Sequence, residues 1–435
     1  MDQLMRQFGG QGNLNDIMNG IMNNEEGDGV EEELDEETLM QNCKITYDVF
    51  IKNNLECTSH SLQWLPTRSQ DPDNSQFYVQ NFLIGTHYSE DHGDMFGNDS
   101  IQIAQIKVPK YDQNQKSVID YTKLPKNQSK VQIVKQFNHQ GEVNKCRAMP
   151  QDWRVIASLG NDGDVFIYKH DETNQIQSDF KTLTGLQDEG FGIQWNSKQQ
   201  GLLAAATGTS VCIWDVDKCE NGAPTVIILD AHEDTINDLK FSPLNQNLYG
   251  TASDDHHFKL WDVRAPLQFL HCYKASDDDL FVISFNYDNE YVFATGGEKS
   301  GALHVWDMRM AKHYINDLYH HKAQVNQIEW SPTDTNLFMS SSTDGKLFVW
   351  DHSKTGEEQA RHDYEDGPPE LIFPHEYHKN GIEDIAWSIF EDQKHFAASC
   401  DTDGSLQVWK MSQNFIFDEM DYYDQLESIK NEEVE

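Results

Sequence analysis

The stretch HKAQVNQIEWSPTDTNLFMSSSTDGKLFVWD (His321–Asp351) ends in an apolar run closed by Trp-Asp, and the same ending recurs along the chain. Comparable endings lie at Trp214, Trp261 and Trp306, and Trp409 gives a fifth variant. Successive tryptophans of this series are separated by 47, 45, 44 and 59 residues. A sequence that repeats at this period is built from stacked supersecondary units, so the repeat predicts the fold of the whole chain.

A histidine and an aspartate recur within the copies at fixed distances from the aromatic residue. The histidine precedes it by 29 residues in three copies and by 31 in a fourth, and the aspartate precedes it by six. The histidines are His139, His232, His321 and His378, and the aspartates are Asp162, Asp255, Asp344 and Asp403. Each aspartate lies in a tight-turn signal between two strand patterns. We predict that the histidine, a hydroxyl, the aspartate and the aromatic residue are hydrogen bonded in series, which makes these histidines structural.

Two weaker copies precede the five tryptophan copies. Val165–Lys169 places an aromatic residue 46 residues before Trp214, and Phe77–Gly85 with Ile101–Val108 supplies a pair of alternating strands. The pattern resembles the WD40 family, in which each repeat of about 40 to 45 residues forms a four-stranded blade. The fold class that we predict is therefore all-β, a seven-bladed WD40 β-propeller with an N-terminal α-helix and acidic tails.

The predicted ring occupies residues 57–411. Within it, residues 59–66 are expected to close the ring by pairing with the sheet of the last blade, because closure removes an exposed sheet edge. Residues 352–373 form a proline-containing insertion that accounts for the longest repeat spacing. Its Gly-Pro-Pro sequence disfavours both a helix and a central strand. We therefore predict that Leu371–Phe373 lies on a projecting loop.

The chain ahead of the ring is divided into an acidic tail and a helix. Five apolar residues are spaced as one face of a helix, namely Leu39, Cys43, Tyr47, Phe50 and Ile51. Residues 38–56 are therefore predicted to form a helix packed on the propeller. Residues 1–37 and 412–435 are predicted to be disordered acidic tails, because nine carboxylates fall in Glu25–Glu37 and eight in Asp418–Glu435.

The composition argues against several classes of function. Lysine and arginine total 33 against 73 aspartates and glutamates, and the resulting net charge of −40 repels a phosphate backbone, so direct nucleic-acid binding is not expected. No run of 18 or more apolar residues predicts a membrane span. The seven cysteines are dispersed without ligand spacing, and no catalytic or phosphate-binding motif occurs. We therefore predict a non-catalytic protein without a cofactor or a bound metal.

Specific motifs indicate one branch of the WD40 proteins. Glu365-Asp-Gly-Pro-Pro-Glu-Leu371 lies in the insertion, and Ser61-Leu-Gln-Trp-Leu-Pro66 is followed by Leu83-Ile-Gly-Thr-His87. With these motifs the sequence resembles, from Thr38 to Glu419, the retinoblastoma-binding and chromatin-assembly-factor small-subunit family of histone-binding WD40 proteins. The resemblance implies a nuclear histone chaperone or scaffold subunit. Its implied partners are histones H3 and H4 and the subunits of chromatin assembly, Polycomb-type methyltransferase, deacetylase or remodelling complexes.

The same resemblance implies two binding sites. A side groove for the first helix of histone H4 would have an apolar wall of Tyr47, Phe50 and Ile51. The insertion would supply the other side, through Glu365, Asp366, Gly367, Pro368, Pro369, Glu370, Leu371 and Ile372. A site on one propeller face would take the histone H3 tail through Glu142, Asn144, Glu189 and Phe191. At four face positions where the family tends to have an acid or an aromatic residue, this chain has Asn237, Gln324, Asn326 and Thr402.

Two other functions stay open at this point. A glutamate-rich WD40 protein that escorts a basic ribosomal protein also combines an acidic stretch with a seven-bladed ring, although the Asp-Gly-Pro-Pro-Glu-Leu motif argues against it. A ubiquitin-ligase substrate adaptor is a second alternative, because WD40 rings commonly serve in this way. Binding to a ligase scaffold instead of to histones would identify an adaptor.

Overall fold

The computed structural model describes residues 46–87, 99–110, 131–170, 180–275, 277, 279–297, 301–310, 312–359 and 367–412. Across these ranges the protein is a seven-bladed propeller of antiparallel four-stranded sheets, which confirms the predicted fold class. Helices long and apolar enough to cross a membrane do not occur in the described ranges. Residues 38–45 of the predicted helix and the predicted tails, apart from Ser412, lie outside those ranges.

The strands follow the chain blade by blade. The first strand, β1 (Tyr47–Asn54), belongs to the last blade. Blade 1 contains β2 (Thr58–Gln70), β3 (Phe77–His87), β4 (Ser100–Pro109) and β5 (Gln132–Asn138), and blade 2 contains β6 (Val143–Met149), β7 (Asp152–Gly160), β8 (Val165–Lys169) and β9 (Phe180–Leu183). Blade 3 contains β10 (Gly192–Trp195), β11 (Leu202–Thr207), β12 (Ser210–Asp215) and β13 (Val226–Ile228), and blade 4 contains β14 (Ile236–Phe241), β15 (Leu248–Ser253), β16 (His257–Asp262) and β17 (Phe269–Lys274).

The last three blades complete the ring. Blade 5 contains β18 (Val282–Phe285), β19 (Val292–Gly296), β20 (Ala302–Asp307) and β21 (Asn316–Tyr319). Blade 6 contains β22 (Val325–Trp330), β23 (Leu337–Ser342), β24 (Leu347–Asp351) and β25 (Leu371–His375). Blade 7 contains β26 (Ile382–Trp387), β27 (Phe396–Asp401), β28 (Ser405–Met411) and β1. Short 3-10 turns occupy Glu220–Gly222, His352–Lys354 and Glu391–Gln393.

The repeated aromatic residue lies on the third strand of its blade and fills the space between neighbouring blades. Trp214, Trp350 and Trp409 are all fully buried there. The second strands are buried at every position, as in Leu202–Thr207 and Leu337–Ser342. Their continuous apolar and small residues fit a strand that is covered on both faces. The core is therefore a series of apolar layers, each shared by two adjacent blades.

The ring is closed by β1, and two predictions about the N-terminal part of the chain are wrong. Residues 47–54 form a strand and not a helix, and β1 pairs with β28, with Phe50 opposite Trp409 and Lys52 opposite Gln407. Residues 59–66 lie in β2, which pairs with β3 inside blade 1 and does not close the ring. The propeller therefore begins at Tyr47, ten residues before the predicted boundary at 57.

A difference in periodicity explains the missed strand. Within β1 the side chains of Tyr47, Val49 and Ile51 are buried, whereas Phe50 is only half-buried. Buried residues at every second position are typical of a strand. Because Phe50 is also apolar, the set could be matched to a helical spacing from the sequence alone. The unpaired edge of β28 then selects the strand, since pairing satisfies its backbone groups.

The predicted insertion loop also ends earlier than expected. Leu371–His375 forms β25, the outermost strand of blade 6, with Val349 opposite Phe373. Proline is tolerated on an outermost strand, where one side of the backbone has no strand partner, and Pro374 lies in β25. The prediction that Leu371–Phe373 projects as a loop is therefore wrong.

The predicted hydrogen-bonded series is present in blades 4 and 6. In blade 6, His321 Nε2 lies 2.7 Å from Ser340 Oγ, and the Trp350 indole N–H donates to the same oxygen at 2.9 Å. His321 Nδ1 is 3.3 Å from an Asp344 carboxylate oxygen. Blade 4 repeats the arrangement with His232, Thr251, Asp255 and Trp261. These histidines are structural, as predicted.

Two of the predicted aspartates are wrong. In blade 7, His378 Nδ1 lies 2.8 Å from Asp401 Oδ2, and Asp403 is not its partner. The Asp401 carboxylate also accepts the backbone N–H groups of Asp403 and Ser405, so it holds both the turn and the histidine. In blade 2, His139 Nδ1 lies 2.8 Å from the carbonyl oxygen of Gly141, and Asp162 takes no part.

A buried ion cluster that the sequence analysis did not foresee joins the blades at the centre of the ring. Asp384 of β26 accepts the backbone N–H of Leu62 at 2.7 Å and lies 3.2 Å from Lys145 Nζ and 3.0 Å from Arg147 Nη2. Burial alone would raise the pKa of Asp384, but the two cations hold it below its ordinary value. The cluster connects blades 1, 2 and 7.

Ring closure predicts a specific sensitivity in β1. Replacing buried Ile51 with aspartate removes apolar contacts and buries a charge, so Ile51→Asp should lower the free energy of unfolding by about 3 kcal/mol or more. Asn54→Asp adds the same charge at an exposed position of the same strand and should change it by less than about 0.5 kcal/mol. Urea denaturation followed by tryptophan fluorescence measures both. Equal effects of the two variants would contradict closure by β1.

Acidification should destabilise the ring through the buried histidines. Burial lowers the pKa of His139, His232, His321 and His378. Unfolded histidines bind protons near pH 6.5, so the stability contributed by the neutral rings is complete above that pH and is lost as the pH falls through the lower folded-state pKa. We expect the urea midpoint to fall between about pH 7 and about pH 5. His378→Gln should flatten this dependence, whereas His313→Gln, at an exposed position, should leave it unchanged.

Candidate functional site

The seam between the outermost strands of blades 6 and 7 carries an apolar surface. Tyr47 lies at its base, with its ring edge-on to Phe373 at 5.3 Å and its hydroxyl 2.6 Å from His375 Nδ1. Burial lowers the pKa of His375 well below its ordinary value, so this imidazole is neutral. Tyr47 and Ile51 are both buried in the core. They support the surface from below and do not line it.

The accessible wall of this seam consists of Phe50, Ile372 and Tyr377, which we call the side groove. All three are half-buried and pack on the same core cluster as Tyr47 and Phe373. The rings of Phe50 and Tyr377 are 5.4 Å apart. Phe50 and Ile372 were predicted site residues, whereas Tyr377 was not. Its position two residues after the end of β25 became meaningful only once β25 was known to be a strand.

The insertion is fixed to blade 5 at both ends. The Asn316 side-chain N–H₂ group donates to Glu370 Oε1 at 2.8 Å and to Thr355 Oγ1 at 3.3 Å. Glu370 is 5% exposed, and its backbone oxygen accepts the N–H of Asp351 at 2.7 Å. Glu370 is thus an anchor of the insertion and not a carboxylate at the rim of the groove. Glu365 and Asp366 lie outside the described residues.

The Gly-Pro-Pro turn directs the chain from the insertion into β25. Gly367 has a φ of +116°, and a Cβ atom there would lie 2.9 Å from Leu371 Cδ2, so glycine is required. The Leu371 N–H donates to the Pro368 carbonyl at 2.9 Å, with Pro369 inside the turn. Leu371 packs into the core between blades 5 and 6, whereas Ile372 points to the side groove. Of these two predicted site residues, only Ile372 lines the groove.

The predicted face residues lie on the loops before β6 and β10 and at the start of β6. Asn144 is fully buried and donates to Glu189 Oε1 and to the Gly190 carbonyl, both at 3.2 Å. Phe191 stands beside them and is 40% exposed. Glu142 Oε2 accepts the Asn161 side-chain N–H₂ group at 3.4 Å. The structure therefore brings Asn144, Glu189 and Phe191 together, with Glu142 on the adjoining loop.

A hollow of about 360 Å³ opens beside these residues. It is lined by Asp188, Glu189, Gly190, Phe191, Gly208, Thr235 and Asn237. Asn237, one of the departures from the family pattern, donates to Asp254 Oδ1 at 2.5 Å. Burial raises the pKa of Asp254, and the nearby charges of Asp279 and Asp234 act in the same direction. Asp188 and Asp254 thus bring carboxyl groups to the site that the sequence analysis did not identify.

The chemistry of both surfaces is that of binding. The side groove offers aromatic and aliphatic carbon to an apolar helix face, whereas the hollow offers carboxylates and one aromatic ring to a cation. Within the described residues no group of three or more histidine, cysteine, aspartate or glutamate side chains could hold a metal ion. Most of the histidines with resolved partners are occupied in structural hydrogen bonds.

Comparisons with known proteins agree with this geometry. Residues 35–110 match the family model described as histone-binding protein RBBP4 or the corresponding member of the CAF1 complex. Residues 128–366 match a β-propeller model described as nucleolar protein 10-like, N-terminal domain. The histone acetyltransferase type B subunit 2 of Candida glabrata is 29% identical over 383 residues, which cover 87% of this chain and 88% of that protein. The first match includes β1, and the second covers neither wall of the side groove.

Proposed function

Because the chain belongs to the family of histone-binding WD40 propellers that includes RBBP4, we propose that it is a non-catalytic histone-binding subunit of nuclear chromatin complexes. The observation that carries this proposal is the side groove, an apolar strip on the outer rim of an otherwise strongly acidic protein. Its matching relative is a subunit of a histone acetyltransferase. Chromatin assembly, Polycomb-type methyltransferase, deacetylase and remodelling complexes are the other settings that we propose.

The side groove is proposed to hold the first helix of histone H4. An amphipathic basic helix can place its apolar side on Phe50, Ile372 and Tyr377, while its cations meet the carboxylates of the acidic chain. The insertion continues the wall, and its residues Glu365 and Asp366 are proposed as rim acids. Apolar anchors of this kind dominate binding, each costing about 2 kcal/mol on truncation, whereas rim charges mainly set the association rate.

The propeller face is proposed to hold the tail of histone H3. Glu142, Glu189 and the carboxyl groups of Asp188 and Asp254 create a negative field over the hollow, and a lysine or arginine side chain is drawn to such a field. Phe191 offers a ring face for a cation–π contact. Asn144 fixes the Glu189 side chain in place.

Two charge variants test both sites and serve as controls for each other. Combined Phe50→Asp and Ile372→Asp should weaken an H4 first-helix peptide by roughly 100-fold or more and leave an H3-tail peptide unaffected, because two apolar anchors are lost. Combined Glu142→Lys and Glu189→Lys should weaken the H3-tail peptide and leave the H4 peptide unaffected. Calorimetric titration gives the affinities, and near-ultraviolet circular dichroism confirms that each ring is folded.

The pattern of losses separates the possible explanations. Unchanged H4-peptide affinity in the groove variant would refute the groove assignment. Equal loss of both peptides in both variants would indicate nonspecific charge attraction. Selective losses as expected would support two independent histone sites.

A further inference from the structure

A second apolar surface lies on the outer rim of blade 4, far along the ring from the side groove. The strand β17 is the last strand of its sheet, so its outer backbone edge has no strand partner within that sheet. Its first residues are apolar and unusually open, with Phe269 50% and Leu270 49% exposed. Leu267, just ahead of the strand, is 76% exposed. An open apolar edge of this kind is a template for pairing with another chain.

The rim of blade 3 extends the same apolar surface. Its outermost strand, β13, exposes Ile227, and Leu229 follows with 70% of its surface open. Lys259 bridges the two rims, because its Nζ donates to the Ala231 carbonyl at 2.7 Å and lies 5.5 Å from the centre of the Phe269 ring. The ends of β13 and β17 therefore flank one shallow groove, which we call the rim groove.

The charges around the rim groove indicate what it can accept. Its cations already have partners within the chain. Arg264 pairs with Asp262 and Lys274 with Asp277, both at 2.5 Å, and Lys259 donates to a carbonyl. Asp230 and Glu233 are exposed beside them, and the charge of Glu233 acts on Cys272 of β17. With a net charge of −40 on the chain, the local field attracts a cationic segment and repels a second copy.

We propose that the rim groove is an interaction surface for an extended, basic segment of another protein, which adds to β17 as a fifth strand of blade 4. Backbone hydrogen bonds to the open edge would supply affinity, and alternate apolar side chains would rest on Phe269 and Leu229. Lysine or arginine between them would face Asp230 and Glu233. This surface is separate from the two histone sites proposed above and does not depend on them.

A designed peptide tests the proposal on the full-length protein. The probe is a fluorescent peptide of about eight residues that alternates lysine and valine, and its partner control alternates glutamate and valine. We expect only the lysine peptide to bind and to slow amide hydrogen exchange across Phe269–Lys274. Leu270→Lys should weaken binding about tenfold or more, because it places a cation on the apolar edge. Ile133→Lys, at a similarly exposed position of the outer strand β5, should change it by less than about twofold.

Each outcome decides the matter. Slower exchange confined to β17, together with a selective loss in Leu270→Lys, supports the proposal. Absence of slower exchange in β17 overturns it, and this measurement on the unaltered protein does not depend on a variant that folds. Equal binding of the glutamate peptide, or equal loss in Ile133→Lys, also overturns it.

Discussion

Pairing of β1 with β28 is the constraint on which the rest of the molecule depends. It joins the N-terminal side of the ring to its last blade and continues to the end of the strand, where the Ser412 N–H donates to the Thr46 carbonyl. Val49 and Ile51 enter a core cluster shared with blade 1, whereas Tyr47 enters one shared with blade 6. One strand therefore links three blades, and without it two apolar layers and one sheet edge would be open to water.

The same strand creates the side groove. Alternation along β1 turns Tyr47 and Ile51 inward for closure and leaves Phe50 outward, where it meets Tyr377 and Ile372. Closure and partner binding are thus two faces of one element. The Asn316 clamp sets the position of the insertion relative to that element, because both ends of the insertion are held to blade 5 while β25 pairs inside blade 6.

The repeats made the propeller predictable from the sequence, since a Trp-Asp ending at nearly constant spacing corresponds to one third strand per blade. The errors fell where the repeat is interrupted. A strand that precedes the repeats has no copy with which to align it, so Tyr47, Phe50 and Ile51 were assigned to a helix. Asp401 and Asp403 are both close to the turn of blade 7, and only coordinates show which carboxylate meets His378. The family resemblance identified Ile372 and Phe50, whereas Tyr377, Asp188 and Asp254 required the fold.

The central claim is that an apolar groove, and not the acidic charge alone, recognises the partner. Calorimetric titration of an H4 first-helix peptide at about 0.15 M and at about 0.5 M salt tests it directly, because the Debye length falls from about 8 Å and exposed charges are screened. The account predicts that affinity at the higher salt falls by less than about tenfold, since burial of apolar surface persists. Loss of measurable binding would contradict the account and would favour an acidic surface that escorts any basic partner.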